Sequence, residues 1–252
     1  MKILIPNNIF CNLFIKSLNF FDEKEINILN ASSIVSEVEN KNYDLGIIPT
    51  LDLLNHHDLF VSSKLGISFS GSLSPAYFYF IPEQRSISSL FLQGDVSTNE
   101  IIISKILFKD RFNIDIEINL DTEKIEILKK NYLVVGDMNF NNKYLGKGLS
   151  LAEELVDQIG FPYVNFVVVS KDEKSILELN ESASNYTVDN SDSLEELLRQ
   201  LDFENDIKSF IYSNLSSMSF LLKEDDIEGI NEILRLPYYH GIIEDITEIQ
   251  LR

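Results

Sequence analysis

Cysteine is all but missing from this chain. Cys11 stands alone, which excludes an intrachain disulfide and a cysteine-based metal cluster. Its apolar neighbours make it a buried, inert thiol rather than a nucleophile. Basic residues are scarce as well: 21 Lys and Arg face 40 Asp and Glu, a net charge of −19. Nucleic acid and anionic membrane surfaces both need clustered positive charge, so neither is an expected partner. No apolar run nears the roughly 20 residues that cross a bilayer. The opening segment, MKILIPNNIFCNLFIKSL, fails as a signal peptide. Asn7, Asn8, Asn12 and Lys16 interrupt its apolar stretch, and no small-residue cleavage site follows. A cytoplasmic protein is therefore expected. Histidine is limited to His56, His57 and His240, without supporting metal-ligand spacing. The first two read as loop or helix-end residues and the third as a packing residue. A Gly-rich phosphate loop, a His-Glu metal motif and a nucleophile elbow are all missing.

What is present is the composition of an ordinary globular protein, 44% hydrophobic and 24% charged over 252 residues. That length suits one large domain or two small lobes. Strand and helix patterns alternate. Lys2–Ile5 reads as a strand, Ile9–Phe21 as a helix, and Glu25–Leu29 as a second strand. Ser32 and Ser33 offer N-caps to a helix carrying Ile34, Val35 and Val38, after which YDLGIIPT closes a buried strand. This order implies a parallel sheet flanked by helices. KLGISFSGSLSPAYFYFIP then gives two β-type runs separated by small residues.

A second unit repeats the alternation. It comprises strand SSLFLQ, a helix over about 99–109, strand IDIEINL, helix TEKIEILKK and strand YLVVGD. A helix over about 149–159 follows, and GFPYVNFVVVS is long enough to return to the first lobe. The expected division is residues 1–84 plus 171–252 for one lobe and 85–170 for the other. The polar run over 180–193 reads as a loop. SLEELLRQLDF, DIKSFIYSNL and KEDDIEGINEILR read as amphipathic helices that close the chain and could supply a homodimer surface.

Small polar residues gather at the expected carboxyl ends of the strands. They are Asn7 and Asn8; Thr50; Ser72 and Ser74 within SFSGSLS; Ser97, Thr98 and Asn99; and Asp137 and Asn139. Ligands of open α/β sheets bind at this edge, and free N–H groups of helix N-termini there can hold a carboxylate or phosphate. Each set taken alone is also what a turn or helix cap uses. Asp137 in particular reads as a turn-tying or ligand-orienting carboxylate rather than a base.

The order of YDLGIIPTLDLL, GISFSGSLSPAYFYF, STNEIIISKIL, YLVVGDMNF, GFPYV and DIEGINEIL resembles the futalosine-route menaquinone biosynthesis enzymes, chorismate dehydratase and dihydroxynaphthoate synthase. The resemblance spans most of the chain. It implies an α/β, two-lobed, type II periplasmic-binding-protein-like fold with a helical C-terminal segment, and a small carboxylic acid bound between the lobes. It further implies cofactor-free and metal-free elimination of water from chorismate, with Asn8 and Ser74 in proton transfer or charge stabilisation. Asn7, Thr50, Ser72, Ser97, Thr98, Asn99, Asp137 and Asn139 would then line the ligand. Two departures stand inside the matched segments: Pro75 replaces a family serine beside Ser74, and Glu100 lies at a helix start where it would repel a carboxylate. They leave open a binding protein of different specificity, or none catalytic, on the same scaffold.

Overall fold

The computed structural model describes residues 1–252 except 19–20, 124, 127–128, 142–143, 145, 185–190 and 201–202; of 191–193 it describes the backbone alone. The strands of the first sheet are β1 (Ile3–Pro6), β2 (Ile26–Leu29), β3 (Leu45–Pro49), β4 (Phe60–Phe69), β10 (Tyr163–Ser170), β11 (Met218–Leu221) and β12 (Gln250–Leu251). Their order is β11-β4-β10-β3-β1-β2, with β12 pairing to β4. The second sheet contains β5 (Ala76–Tyr79), β6 (Ser89–Gly94), β7 (Glu117–Leu120), β8 (Tyr132–Val135) and β9 (Leu149–Ser150), in the order β7-β6-β8-β5-β9. In each sheet the βαβ units give parallel pairs, β1 with β2 and β3, and β6 with β7 and β8. The return strands β10 and β5 run antiparallel.

The helices are α1 (Ile9–Leu18), α2 (Ala31–Glu39), α3 (Thr98–Phe112), α4 (Leu151–Ile159), α5 (Glu173–Ser184), α6 (Ser191–Gln200), α7 (Asn205–Ser213) and α8 (Glu224–Tyr239). Strands buried on both faces read as continuous apolar runs. β1, β3, β8 and β10 are buried at every residue. The edge strands β2 and β7, by contrast, carry exposed residues. Residues 3–18 therefore supply a buried strand and a core helix.

Sheet membership shifts the expected division. AYFY, placed with the first lobe, pairs with β8 in the second sheet, and the long strand after Gly160 pairs with β3 and β4 in the first. The two crossings thus fall at 70–75 and 151–162, not at 84 and 170. The expected loop over 180–193 is helical at both ends, as α5 and α6, with 185–190 outside the described residues. The helix expected over 122–130 has 124, 127 and 128 outside the described residues, and its other residues are not helical.

Candidate functional site

The parallel strands end at the junction of the lobes. α1 begins just past β1 and α2 just past β2, so their first N–H groups open towards it. The second lobe answers both. Asp137 follows Gly136 at the end of β8, and its Oδ1 accepts the N–H of Ile9, the first residue of α1, at 2.8 Å. Asp95 follows β6, and both its carboxyl oxygens accept the N–H of Ala31, the first residue of α2, at 3.0 Å. Gly94 makes this turn at φ +107°, where a Cβ would lie 1.9 Å from the Val135 carbonyl oxygen. Neither Ser32 nor Ser33 caps α2; Asn30 holds the N-cap position without a side-chain bond, and Asp95 from the other lobe supplies the acceptor.

The residues expected to act on a ligand are mostly committed to the fold. Asn8 is buried and its Oδ1 accepts the Cys11 N–H at 2.9 Å, a second cap on α1. Ser74 is fully buried. Its hydroxyl donates to the Ala76 carbonyl at 2.8 Å and accepts from the Ala76 and Ala152 N–H groups, fixing the turn into β5. Both side chains expected to be catalytic, Asn8 and Ser74, are thus engaged in backbone hydrogen bonds. Thr50 donates to the Val164 carbonyl at 2.6 Å and is buried. Asn99 is fully buried. It accepts the Leu51 N–H and donates towards the Tyr163 hydroxyl and both the carbonyl and Oδ1 of Asn165, tying α3 to the first sheet. Ser97 and Glu100 form a capping box on α3, with Glu100 Oε2 accepting from the Ser97 N–H and hydroxyl. Glu100 is folded back onto the cap and fully buried, so it does not confront a ligand. Thr98 bonds the carboxyl of Asp52. Asn7 is exposed.

Burial is the largest influence on four carboxyls here. It pushes Asp52, Asp95, Glu100 and Asp137 above their ordinary values, although each also accepts a hydrogen bond that pulls the other way. Asp95 acts on Glu100, and Asp95 and Asp137 both act on the Cys11 thiol, itself pushed up chiefly by burial. Among the described residues His56 lowers Asp52, and no Lys or Arg is among the charges that shift the four. The junction is therefore acidic and hostile to an anion. A group whose folded pKa is raised binds its proton more tightly in the native state. Its stabilising effect is full below the unfolded value, near 3.8 for aspartate, and is lost as pH rises through the folded value. Urea titrations should therefore show this contribution to stability falling as pH rises above the ordinary carboxyl range. Replacing Asp95 and Asp137 together by Asn should flatten that slope without abolishing it, because Asp52 and Glu100 remain.

Beside the end of β8 lies a cavity of about 190 Å³. Its walls are aromatic: Tyr77 and Tyr79 from β5, Phe140 and Tyr144 after β8, and Phe210 from α7. Tyr77 and Tyr79 share one face of β5 through strand alternation, while Phe78 and Phe80 on the opposite face pack on Phe108. The Tyr77 and Phe140 rings stand 6.4 Å apart at 89°, and Tyr79 and Tyr144 lie 5.5 Å apart at 58°, so the rings form corners rather than a flat stack. Phe140 also meets Phe10 of α1 edge to face at 5.6 Å, joining this wall to the first lobe. Ser72 and Asn139 reach the cavity, the only expected site residues that line it. Ser72 donates to Asn214 Oδ1 at 2.9 Å. Asn139 accepts the Tyr79 hydroxyl at 2.9 Å and donates to the Val134 and Gly136 carbonyls. The aromatic residues and Asp95 were missed in the sequence. SPAYFYF does carry the alternation that puts two tyrosines on one face.

No protein-family model matches the chain, and no curated protein sequence does. Solved structures do. The alkanesulfonate-binding protein SsuA from Xanthomonas axonopodis pv. citri, bound to MOPS, matches with a TM-score of 0.62 at 9% identity, over 100% of this chain and 97% of that one. Protein AF1704 from Archaeoglobus fulgidus matches with a TM-score of 0.59 at 11% identity, over 96% and 98%. The Candida albicans CA3427 gene product, described as having the generic periplasmic binding protein fold, matches with a TM-score of 0.55 at 11% identity, over 97% and 91%. The chain has the two-lobed type II periplasmic-binding-protein-like fold with a helical C-terminal segment. At these identities the likeness shows the fold alone. No helix among the described residues is long and apolar enough to cross a membrane.

Proposed function

We propose that this is a cytoplasmic small-molecule-binding protein whose ligand occupies the aromatic cavity rather than the helix ends between the lobes. The observation that carries this reading is the division of labour at the junction. Asp95 and Asp137 already accept the first N–H of α2 and of α1, while the cavity has room and is walled by aromatic rings. Its volume, about 190 Å³, is close to the roughly 150 Å³ that admits benzene and below the roughly 300–1,000 Å³ of drug-sized sites. A compact ligand without negative charge fits this better than a carboxylic acid does. A thermal-shift screen of small acids, neutral compounds and amines tests the reading. A ligand at a hundredfold excess over its Kd stabilises by about 2.7 kcal/mol, a rise of several degrees at this chain length. Leu149→Trp, which enlarges a 42% exposed residue at the cavity mouth, should abolish that rise. A rise that survives Leu149→Trp would place the ligand elsewhere.

A chorismate dehydratase is the second reading, favoured by the order of the matched segments and by the fold. It requires Asn8 and Ser74 to leave the bonds described above, and it brings a dicarboxylate to an acidic junction. Incubation of micromolar protein with chorismate, followed by proton NMR, is expected to show no loss of the ring proton. Appearance of an enolpyruvyl benzoate would instead establish the dehydratase.

A further inference from the structure

We propose that the cavity takes a small organic ammonium ion, a quaternary or tertiary amine of a few carbons, held against ring faces with Glu153 as its counter-charge. The inference rests on the binding reading above and specifies its ligand. Cations are drawn to the negative faces of aromatic rings, and several rings set at angles around one space make a cage for an alkylammonium group. Tyr77 and Phe140 meet at 89°, Tyr79 lies next to Tyr77 along β5, and Phe210 closes the space from α7.

The tyrosines offer faces rather than free hydroxyls. Tyr77 donates to the Ser72 carbonyl and Tyr79 to Asn139 Oδ1, each at 2.9 Å. Burial also pushes both phenols well above their ordinary value, so they stay neutral, and the Glu153 charge adds to this at Tyr77. Glu153 is the charged residue of the lining. It is exposed, and its backbone N–H, not its carboxylate, serves the helix by donating to Ser150 Oγ. Among the described residues no Lys, Arg or His lines the cavity. The overall charge of −19 attracts cations to the protein at low ionic strength.

Choline and its neutral carbon isostere 3,3-dimethylbutanol share a shape and differ by one charge, so calorimetric titration of both at low salt isolates the charge. Choline is expected to bind at least tenfold more tightly than the isostere. Glu153→Gln, at an exposed position, should weaken choline about tenfold and leave the isostere within twofold. Phe210→Leu should also weaken choline selectively, because it keeps an apolar wall but removes a ring face. Unfolding curves matching the parent would show that both variants remain folded. Equal binding of the two compounds would overturn the ammonium assignment while leaving the cavity reading intact. Choline binding unchanged by Glu153→Gln and Phe210→Leu would overturn the assignment of the cation to this cavity. Absence of choline binding would overturn the assignment as well. If Leu149→Trp also left every screened ligand's shift unchanged, the cavity reading itself would fall.

Discussion

Replacing Asp95 and Asp137 together by Ala is expected to cost about 3 kcal/mol and to loosen the contact between the lobes. Each carboxyl accepts the first N–H of a helix in the opposite lobe, at 2.8 Å for Ile9 and 3.0 Å for Ala31. Loss of such a cap costs roughly 0.5–2 kcal/mol, and both bonds are partly buried, which favours the upper half of that range. The double Asn variant should cost less than 1 kcal/mol, because an amide oxygen still accepts the N–H. Urea unfolding gives the energies. Small-angle scattering gives the opening, as a larger radius of gyration for the Ala pair than for the Asn pair. Equal losses for Ala and Asn would mean that negative charge, not the acceptor, holds the lobes.

Asn99→Ala should be the most damaging single substitution among the polar residues of the junction, at about 3–4 kcal/mol. The side chain accepts the Leu51 N–H at 2.9 Å and donates to the Asn165 carbonyl at 2.8 Å, with the Tyr163 hydroxyl and Asn165 Oδ1 also in reach. Truncation removes the partner of two buried backbone groups, the Leu51 N–H and the Asn165 carbonyl, at roughly 1–3 kcal/mol for each group left without a partner. It also leaves a void where a fully buried side chain stood. Asn99→Asp keeps the volume and the acceptor for Leu51 but faces carbonyl oxygens with a carboxylate, so it should be no better tolerated. Denaturant unfolding reads both; a loss under 1 kcal/mol for the Ala variant would show that Asn99 does not tie the lobes.

Much of this architecture was legible in the residues. The two alternating units, the buried runs of β1, β3, β8 and β10 and the closing amphipathic helices followed from periodicity. Strand membership at the crossings did not, because apolar runs such as AYFY and YVNFVVVS suit either sheet and long-range pairing alone decides between them. Of the expected site residues, Ser72 and Asn139 line the cavity, and several of the others make hydrogen bonds within the fold. Ser97-Thr98-Asn99-Glu100 is a Ser-x-x-Glu capping box written in the sequence, yet it looked like a spoiled anion site. Asp137 was expected to tie down its own turn by accepting local N–H groups, whereas the N–H it accepts belongs to α1, 128 residues away in sequence. Asp95 drew no notice, since nothing near it in the chain shows that Ala31 will arrive as its partner. The cavity required Phe210 from a distant helix to meet β5, a contact no local pattern carries.

The account stands most directly on where a ligand lies. Crystals grown with the compound that gives the largest thermal shift should show it between the rings of Tyr77 and Phe140, with Asp95 and Asp137 still bonded to Ala31 and Ile9. Density at the starts of α1 and α2, with those two carboxylates displaced, would contradict it.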